Sequence, residues 1–482
     1  MNIETKNQMY INGEWVNADS GETTPVTNPA TGEEVARVPN GGQAETKRAV
    51  EAAKKAYKSW SKLTASERGQ HLRKLFNLVN EHAEHLGRVM TLEQGKPVEE
   101  ATGEVQWGAG YLEFYSEEAK RLDGELLTPS SPSQRIMVQK HPIGVVGAIT
   151  PWNFPSSLLT RKIAQALSVG CTLVLKPAPE TPLSAIALFE LIEKAELPAG
   201  VVNLVMGDAQ EIGDEFLTNK DVRKLSFTGS TNVGKYLMEQ SGQQLKKLSM
   251  ELGGHAPFIV FEDADLDRAV DGLLANKSQN GGQTCICANR IFVHEDIKDA
   301  FIDKFTEKYR NLNIGNGFHE GIQVGPLIRR DAIDKVNNHI EDAVSQGATL
   351  VTGGEALTEG DFAKGNFFMP TVLKDVTPSM KIFREETFGP VAPFITFSSD
   401  DEVIQLANDS DYGLAGYFYT KDLARAMEVS SELEYGMVGI NASAMGDVNA
   451  PFGGMKESGM GREGGHHGIE DYVEYKYINL QY

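Results

Sequence analysis

The chain has 482 residues, which at roughly 150 residues per domain predicts about three structural units and excludes a single small binding module. Its 46 Lys and Arg against 67 Asp and Glu give a formal net charge of −21, which repels nucleic-acid phosphates and anionic lipids. The composition is 40% hydrophobic and 23% charged, without an apolar run of the roughly 18 to 20 residues that span a membrane. We therefore expect a globular protein that binds neither nucleic acid nor membrane.

Two further features of the sequence concern its cellular compartment. Residues 1–6 show no apolar stretch or cleavage pattern of a secretory signal, so we expect a cytoplasmic protein. The only cysteines, Cys171, Cys285 and Cys287, are too few for a disulfide framework and lack the spacing of a metal site. Each thiol is therefore either buried in a core or reactive.

The first 120 or so residues are predicted to be mainly helical after a short strand-forming segment from Met9 to Val16. Apolar residues recur at helical spacing from Ala49 to Trp60. A second helix is expected to begin at the capping box Thr64-Ala65-Ser66-Glu67 and to end near Gly95-Lys96-Pro97.

From residue 144 onward, segments typical of strands alternate with segments typical of helices. Predicted strands cover residues 144–150, 172–175, 201–205 and 224–228, and predicted helices cover residues 156–169 and 184–195. This alternation predicts parallel strands with helices on both faces, which is a doubly wound α/β sheet. Such sheets bind ligands at the carboxyl ends of their strands.

A second α/β series is expected after Gly253-Gly254, with a strand at residues 257–261 and a helix at residues 300–309. The tail, residues 472–480, is aromatic and rich in strand-forming residues, which is unusual for a solvated terminus. We expect this tail to pair with another strand.

Cys285 is the strongest nucleophile candidate, because it follows the turn-forming pair Gly281-Gly282. If that turn opens a helix, the helix amides and dipole would lower the pKa of the thiol and favour nucleophilic catalysis. The alternative is that Cys285 and Cys287 only fill the core. Cys171, inside an apolar segment, is expected to be a packing residue.

Two other motifs carry candidate catalytic groups. Glu251 stands between Met250 and Leu252, and burial among apolar neighbours raises the pKa of a glutamate toward that of a useful general base. Asn153, within Pro151-Trp152-Asn153-Phe154-Pro155, follows a buried strand, where its amide could reach a reacting oxygen. The alternatives are a salt-bridged glutamate and an ordinary turn.

Together these three motifs resemble the aldehyde dehydrogenase superfamily. Four more motifs occur in the order typical of that family: residues 176–182, 227–234, 385–391 and 451–459. The spacing of 34 residues between Glu251 and Cys285 is also similar. Within the superfamily, residues 160–162 and 283–290 are most similar to the succinate-semialdehyde dehydrogenase branch.

The resemblance implies oxidation of an aldehyde to its acid through a cysteine thiohemiacetal and a thioester. It implies that Cys285 is the nucleophile, that Glu251 activates the deacylating water, and that Asn153 and the backbone amide of Cys285 stabilise the oxyanion. NADP or NAD would accept the hydride. The cofactor would be bound by Lys176 and Glu386 at the riboses, by Gly229 and Ser230 at the pyrophosphate, and by Trp152, Leu252 and Phe388 at the nicotinamide.

NADP is favoured over NAD on the basis of Pro179. Many NAD-selective relatives have a glutamate at this position, whose carboxylate repels a 2′-phosphate, and Lys176 adds a positive charge within reach. The adjacent Glu180 is the alternative carboxylate, since a shift of the backbone by one residue could let it substitute.

The branch also implies a substrate-binding role for Arg161, as a bidentate partner of a substrate carboxylate. The sequence departs from the branch at two positions: Gln279 replaces a second arginine and Gly446 replaces a serine. A related aldehyde therefore remains an alternative to succinate semialdehyde.

Cys287, two residues from the nucleophile candidate, motivates the hypothesis of a redox-regulatory disulfide with Cys285. A nucleotide hydrolase is the main rival of a different class, since residues 229–235 fit GxxxxGK, but Tyr236 follows where a Mg²⁺-binding loop needs Ser or Thr. A catalytically inactive scaffold is the other rival, and it would be expected to lack one of the catalytic residues. His466-His467 lacks the ligand spacing of a metal site, so we expect no metal.

The expected architecture is a doubly wound parallel-sheet cofactor domain, a second α/β catalytic domain and a small β oligomerisation element. The predicted boundaries are residues 1–120 and 144–253 for the dinucleotide-binding domain, 254–464 for the catalytic domain, and 121–143 with 465–482 for the third element. The partners expected are a small-molecule aldehyde and further copies of the chain, as a dimer or tetramer.

Overall fold

The computed structural model describes residues 5–482, and in this part of the chain the strands form five sheets. Met1 to Glu4, on which part of the leader interpretation depends, lie outside the described residues. No helix among residues 5–482 is both long enough and apolar enough to cross a membrane.

The first large sheet has eight strands, of which the central five run parallel. In spatial order its strands are Glu14–Val16, Met9–Ile11, Val202–Leu204, Thr172–Lys176, Val145–Ile149, Val222–Thr228, Lys247–Glu251 and Gly459–Met460. The first parallel strand in the chain, Val145–Ile149, lies in the middle, and the chain winds outward from it in both directions. This confirms the predicted doubly wound sheet.

The second large sheet has seven strands, and all its pairs are parallel except the outer pair formed by Thr349–Thr352 and Thr371–Lys374. The remaining strands in spatial order are Val391–Phe397, Ala288–His294, Ala256–Val260, Ala415–Tyr419 and Met437–Ile440. This sheet confirms the expected second α/β unit.

The three smaller sheets are antiparallel. The C-terminal strand Val473–Gln481 pairs with Gln134–Pro142, which pairs with Glu125–Leu127. The expected pairing of the tail is therefore confirmed. The two-stranded sheets are Thr23–Thr27 with Glu34–Pro39, and Tyr412–Gly413 with Met455–Lys456.

Helices connect most consecutive strands of the two large sheets. They span Gln43–Trp60, Ala65–Glu81, Ala83–Gln94, Val98–Glu118, Ser157–Val169, Pro182–Lys194, Ala209–Thr218, Thr231–Ser241, Leu266–Ser278, Lys298–Arg310, Arg330–Ser345, Lys381–Arg384, Asp400–Asn408 and Leu423–Glu432. Short 3₁₀ turns span Ala119–Arg121, Gly242–Gln244, Gln279–Gly282, Gly360–Phe362 and His466–Tyr472.

The predicted long helix after the capping box is wrong in one respect. The capping box forms, with the Thr64 side chain accepting from the Glu67 amide and the Glu67 carboxylate accepting from the Thr64 amide. However, the segment divides at His82 into the helices Ala65–Glu81 and Ala83–Gln94. Apolar periodicity continues through the break, because both helices bury one face against the same helix, Val98–Glu118.

The topology fixes the position of a ligand site. The order of the parallel strands reverses between Val145–Ile149 and Val222–Thr228, and neighbouring connections leave such a reversal point toward opposite faces of the sheet. The loops that follow these two strands therefore border a crevice at the carboxyl edge of the sheet.

Candidate functional site

A cavity of about 670 Å³ opens at this carboxyl edge and extends to the second sheet. Its walls come from segments distant in sequence, which include the loops after three parallel strands of the first sheet, the segment that precedes strand Ala288–His294, and residues 328–335, 386–388 and 444–447. The predicted site residues that line it are Trp152, Asn153, Arg161, Gly229, Ser230, Glu251, Leu252, Cys285, Glu386 and Phe388.

Cys285 faces the cavity, but the expected helix dipole is absent. The helix Leu266–Ser278 ends before it, the turn Gln279–Gly282 follows, and Cys285 lies in a further turn, closed by a hydrogen bond from the Cys287 amide to the Thr284 carbonyl, just before strand Ala288–His294. Burial, assisted by the nearby Glu386 and Glu251 carboxylates, raises the pKa of the Cys285 thiol to about 12. The expectation of a lowered thiol pKa is therefore wrong for the protein without ligands, and a base has to take the thiol proton.

Neighbouring backbone holds the nucleophile segment in place. The Gln283 side chain accepts a hydrogen bond from the Ile328 amide at 3.0 Å and donates to the Asn280 carbonyl at 3.0 Å. A Cβ atom on Gly254 would lie 2.2 Å from the Cys285 carbonyl oxygen, so only glycine fits there. The Gly253-Gly254 pair thus permits the close approach of Cys285 to the segment that carries Glu251.

Asn153 lies beside Cys285 in space, although the two are distant in sequence. Its side-chain amide donates to the Gln283 carbonyl at 3.2 Å, and its Oδ1 atom has no hydrogen-bond partner among the described residues. The amide nitrogen carries a second hydrogen that this bond does not use. Asn153 therefore has an available donor beside the nucleophile.

Lys96 and Glu104 support the Asn153 loop, and sequence reasoning missed both. The buried Lys96 ammonium contacts Glu104 at 2.6 Å and donates to the Asn153 carbonyl at 2.8 Å. The other Glu104 oxygen accepts from the amides of Ser156 and Ser157 at the start of a helix. Lys96 belongs to the Gly95-Lys96-Pro97 segment, which predicts a helix end, and charged neighbours such as Glu93 and Glu99 leave no local signal that sets Lys96 apart.

Glu251 is buried, and neither carboxylate oxygen has a hydrogen-bond partner among residues 5–482. Burial, followed by the negative charge of Glu463, raises the pKa of Glu251 well above its usual value. An ionised Glu251 is therefore a strong base that takes a proton readily, as a general base requires.

Glu463 is a second residue that sequence reasoning missed. It accepts from Lys162 at 2.7 Å and contacts Arg161 at 3.4 Å, and all three side chains are buried. Burial alone would raise the pKa of Glu463, but the positive charges of Lys162 and Arg161 hold this pKa below its usual value. Its position two residues after Gly461, in a glycine-rich loop, gave no periodic signal.

Arg161 carries its charge into a pocket of aromatic rings. Its guanidinium carbon lies 4.5 Å from the ring centre of Phe452, 4.8 Å from that of Tyr111 and 5.5 Å from that of Trp107. The Nε atom has no hydrogen-bond partner among the described residues. Arg161 therefore retains one free donor next to the cavity.

The two positions that depart from the branch also line the cavity. Gln279 is exposed, and Gly446 accepts a hydrogen bond from the Trp107 indole at 2.5 Å. A Cβ atom on Gly446 would lie 3.1 Å from the Trp107 ring. The indole therefore occupies much of the space that a serine at position 446 would need.

The residues at the other end of the cavity fit a dinucleotide. Gly229 and Ser230 lie between strand Val222–Thr228 and helix Thr231–Ser241, and the Ser230 side chain makes no capping hydrogen bond. The first amides of this helix are therefore available to a phosphate, as at other helix N-termini. A Cβ atom on Gly234 would lie 2.4 Å from Leu252, so glycine lets the helix pack close to this residue.

Glu386 and Phe388 border the same end. Glu386 accepts from the Gly254 amide at 2.9 Å, and burial raises its pKa to about 7. Phe388 has a left-handed backbone with φ of 57°, which is strained for a bulky residue, and packs edge-on against Trp152 with ring centres 5.5 Å apart. Strain of this kind is typical of ligand sites.

Lys176 and Pro179 are not brought into the main cavity. They border a separate small depression of about 20 Å³, near Val38 and Gly207. Among the described residues, the Lys176 ammonium donates only to the Pro177 carbonyl, at 3.3 Å, and burial lowers its pKa.

Glu180, the alternative carboxylate, forms an ion pair with Arg329 at the entrance of the main cavity. The Arg329 guanidinium offsets the negative charge of Glu180, although the carboxylate is still close enough to Lys176 to raise the pKa of that ammonium.

The other two cysteines are buried. Cys171 donates to the Tyr472 carbonyl at 3.3 Å, in agreement with a packing role, and Cys287 accepts from the Lys277 ammonium at 3.2 Å.

His466 contacts Glu118. Among residues 5–482, no group of three His, Cys, Asp or Glu side chains could hold a metal ion.

Comparison with known proteins agrees with this geometry. The chain matches the aldehyde dehydrogenase family over residues 15–478. It is 53% identical to glutarate-semialdehyde dehydrogenase of Pseudomonas putida, over 98% of this chain and 97% of that protein. It is 51% identical to the NADP(+)-dependent succinate-semialdehyde dehydrogenase of Escherichia coli, over 98% and 97%. A crystal structure of an NADP-dependent enzyme of Escherichia coli superposes with a TM-score of 0.97 at 51% identity, covering 99% of this chain and 98% of that one.

Proposed function

The chain belongs to the aldehyde dehydrogenase family, and from this premise we propose that its substrate is a short semialdehyde with a terminal carboxylate, with succinate semialdehyde as the first candidate. The enzyme oxidises an aldehyde to the carboxylic acid with NADP or NAD. Glutarate semialdehyde is the second candidate, because the relative from Pseudomonas putida acts on it and because Gln279 and Gly446 differ from the succinate-specific pattern.

The observation that carries this proposal is the convergence of four groups on one cavity. Cys285, Glu251 and Asn153 supply a nucleophile, a base and an oxyanion donor, and Arg161 supplies a cation at the same wall. A substrate carboxylate can accept a charge-assisted hydrogen bond from this guanidinium, whereas a neutral aldehyde carries no anion to pair with it.

The proposed reaction begins with attack of the Cys285 sulfur on the aldehyde carbon. Because the pKa of the resting thiol is about 12, its proton has to pass to a base, and we assign this role to Glu251, whose pKa burial has raised. The Asn153 amide and the Cys285 backbone amide would donate to the oxyanion that forms. The cofactor, when bound, accepts the hydride.

The second half of the reaction releases the acid from Cys285. Glu251 would remove a proton from water, which attacks the thioester carbon, and Asn153 would again stabilise the oxyanion. The Glu463 carboxylate raises the pKa of Glu251 and thereby strengthens the base.

We propose Lys176, Glu386, Gly229, Ser230, Trp152, Leu252, Phe388 and Pro179 as the cofactor-binding set. The available helix amides at Ser230 and the sparse partners of Lys176 support this set. The preference for NADP is supported by the absence of a carboxylate at Pro179 and by the pairing of Glu180 with Arg329.

We also propose that the chain is a cytoplasmic homo-oligomer that uses the three-stranded sheet as an interface. This sheet and the following terminal residue expose Leu126, Tyr475, Tyr477, Leu480 and Tyr482. Such an apolar surface is typical of an interface. The three predicted units, with their boundaries near residues 120, 144, 254 and 464, remain our proposed domain division.

The test is a panel of aldehydes matched in length with and without a terminal carboxylate. Succinate and glutarate semialdehydes would be compared with butanal and pentanal, each with NADP and NAD, by absorbance of the reduced nicotinamide. We expect kcat/KM to be at least tenfold higher for the carboxylated member of each pair, which corresponds to about 1.4 kcal/mol. Equal or better use of the uncharged aldehydes would contradict the proposed substrate class but not the family.

A further inference from the structure

A buried lysine, Lys277, contacts a buried cysteine, Cys287, two residues after the proposed nucleophile Cys285. Lys277 lies in the last turn of helix Leu266–Ser278, and Cys287 directly precedes strand Ala288–His294. The Lys277 Nζ atom donates to the Cys287 Sγ atom at 3.2 Å, and neither side chain is exposed to solvent. The proposed reaction uses neither group.

The lysine has an unusual environment. Within residues 5–482, no carboxylate lies within 4.0 Å of Lys277, and its only other hydrogen bond goes to the Gly389 carbonyl at 3.3 Å. A buried ammonium without an anionic partner is costly. The Cys287 sulfur lies 3.2 Å from the Lys277 nitrogen, and this separation places a nucleophilic nitrogen within reach of an oxidised sulfur.

The other two cysteines lack such a partner. Burial raises the pKa of Cys171 to about 11 and that of Cys285 to about 12, and neither sulfur contacts an ammonium by a hydrogen bond. Cys287 itself is buried and does not line the cavity, but the preceding residue, Ile286, does.

We propose that Cys287 and Lys277 form an oxidation site, at which hydrogen peroxide joins the two side chains through a sulfur–nitrogen bond. This inference goes beyond the proposed function and does not depend on the substrate. It places the redox-sensitive partner of Cys287 at Lys277 rather than at Cys285.

The chemistry has two steps. The Cys287 thiolate attacks peroxide, so that a sulfur–oxygen bond forms and the oxygen–oxygen bond breaks; the departing hydroxide takes a proton from the Lys277 ammonium and becomes water. The neutral amine then attacks the sulfur of the sulfenic acid, and the sulfur–oxygen bond breaks. The departing hydroxide takes a proton from the nitrogen, so one peroxide is reduced to two waters and the sulfur is oxidised by two electrons.

The sulfur–nitrogen bond would change the wall of the active-site cavity through the contact between Lys277 and Gly389. Lys277 would move away from the Gly389 carbonyl, and Gly389 follows Phe388 in the cavity wall. A Cβ atom on Gly282 would lie only 2.3 Å from the Gly389 carbonyl oxygen, so this loop packs directly on the nucleophile segment. We therefore expect the cross-link to lower turnover and a dithiol to restore it.

Trypsin digestion tests the proposal, because a modified Lys277 resists cleavage. The full-length protein would be treated with hydrogen peroxide, alkylated with iodoacetamide, digested without reductant and analysed by mass spectrometry. We expect a peptide spanning residues 269–290, uncleaved after Lys277, two hydrogen atoms lighter than the unmodified sequence and without an alkyl group on Cys287. Dithiothreitol before alkylation should restore cleavage and most of the lost activity.

Variants separate this cross-link from the alternatives. Cys285→Ala should still form it, whereas Cys287→Ser and Lys277→Arg should not, and Cys171→Ala serves as the control that changes nothing. Complete cleavage after Lys277, with a lighter 278–290 peptide that disappears in Cys285→Ala, would show a Cys285–Cys287 disulfide and overturn the proposal. Addition of oxygen atoms to Cys287 without a missed cleavage would also overturn it.

Discussion

The two ends of the cavity differ in how their buried charges are partnered. At the catalytic end, Glu463 lies against Lys162 and Arg161, so the fold itself sets the charges there. At the cofactor end, Glu386 has one backbone donor, and Lys176, in the separate depression that we also assign to the cofactor, has one backbone acceptor. Among residues 5–482, neither has a side-chain partner within hydrogen-bond distance. The difference indicates that the catalytic end is preorganised for charge, whereas the polar groups of the cofactor end gain most of their partners from the ligand.

The largest effect is expected from removing the nucleophile. Cys285→Ala should abolish aldehyde oxidation, since no other cysteine lines the cavity among the described residues. The measurement is kcat with both cofactors, and Cys171→Ala is the matched control with another buried thiol. Substantial turnover in Cys285→Ala would remove this residue from the mechanism.

Breaking the charge cluster should change both pH dependence and stability. Glu463→Gln removes the negative charge that raises the pKa of Glu251 and leaves Arg161 and Lys162 beside it, so the pKa of Glu251 falls. Because thioester hydrolysis requires ionised Glu251, the acidic limb of the kcat profile should move to lower pH. Two uncompensated buried cations should also lower the free energy of unfolding by about 3 to 5 kcal/mol.

The matched control for this variant is Glu457→Gln, which removes a surface carboxylate that pairs with Lys235. Exposed pairs contribute at most about 1 kcal/mol, so neither the pH profile nor the melting temperature should change much. An unshifted acidic limb in Glu463→Gln would show that Glu463 does not control the base.

Recognition of the substrate carboxylate at the catalytic end can be tested by placing an arginine at position 279, where the succinate-semialdehyde dehydrogenase branch has one. Gln279→Arg adds a second cation at the cavity wall, and a charge-assisted hydrogen bond to a substrate carboxylate contributes about 1.5 to 3 kcal/mol. We expect KM for succinate semialdehyde to fall about tenfold or more, while KM for butanal stays unchanged. A parallel change for both aldehydes would point to altered cavity shape instead of charge recognition.

The smallest expected effect lies at the cofactor end. Pro179→Glu introduces a carboxylate beside Lys176, which should repel a 2′-phosphate and lower kcat/KM for NADP relative to NAD by about tenfold. The measurement is the ratio of the two kcat/KM values in wild type and variant. A wild type that strongly prefers NAD, with a ratio unchanged by the substitution, would refute the proposed preference.

The succession of parallel strands could be predicted from the sequence, but the edges of the sheets could not. Buried strands such as Val145–Ile149 have continuous apolar sequences that signal parallel pairing. The two-residue strand Gly459–Met460, which completes the first sheet beside Lys247–Glu251, is too short to show any periodicity. The break at His82 was missed for a related reason, since the same apolar face continues on both sides of it.

The candidate catalytic residues could be found from local motifs, but the pKa values of their side chains could not be predicted from the sequence. The sequence around Cys285 suggested a helix start and a lowered thiol pKa. In the structure, burial and two carboxylates that are distant in sequence, Glu386 and Glu251, raise the pKa of this thiol. Glu463 and Lys96 were missed because their importance comes from partners that are distant in sequence, and no spacing rule connects them.

The sequence by itself determined the alternating α/β architecture, the family resemblance and the identity of Cys285, Glu251 and Asn153 as candidates, because these depend on local periodicity and on short motifs. Only the tertiary structure decided which charges meet. Burial and Coulomb interactions act over a few ångströms in space, and the fold brings together residues such as Lys162 and Glu463, which are 301 positions apart in the chain.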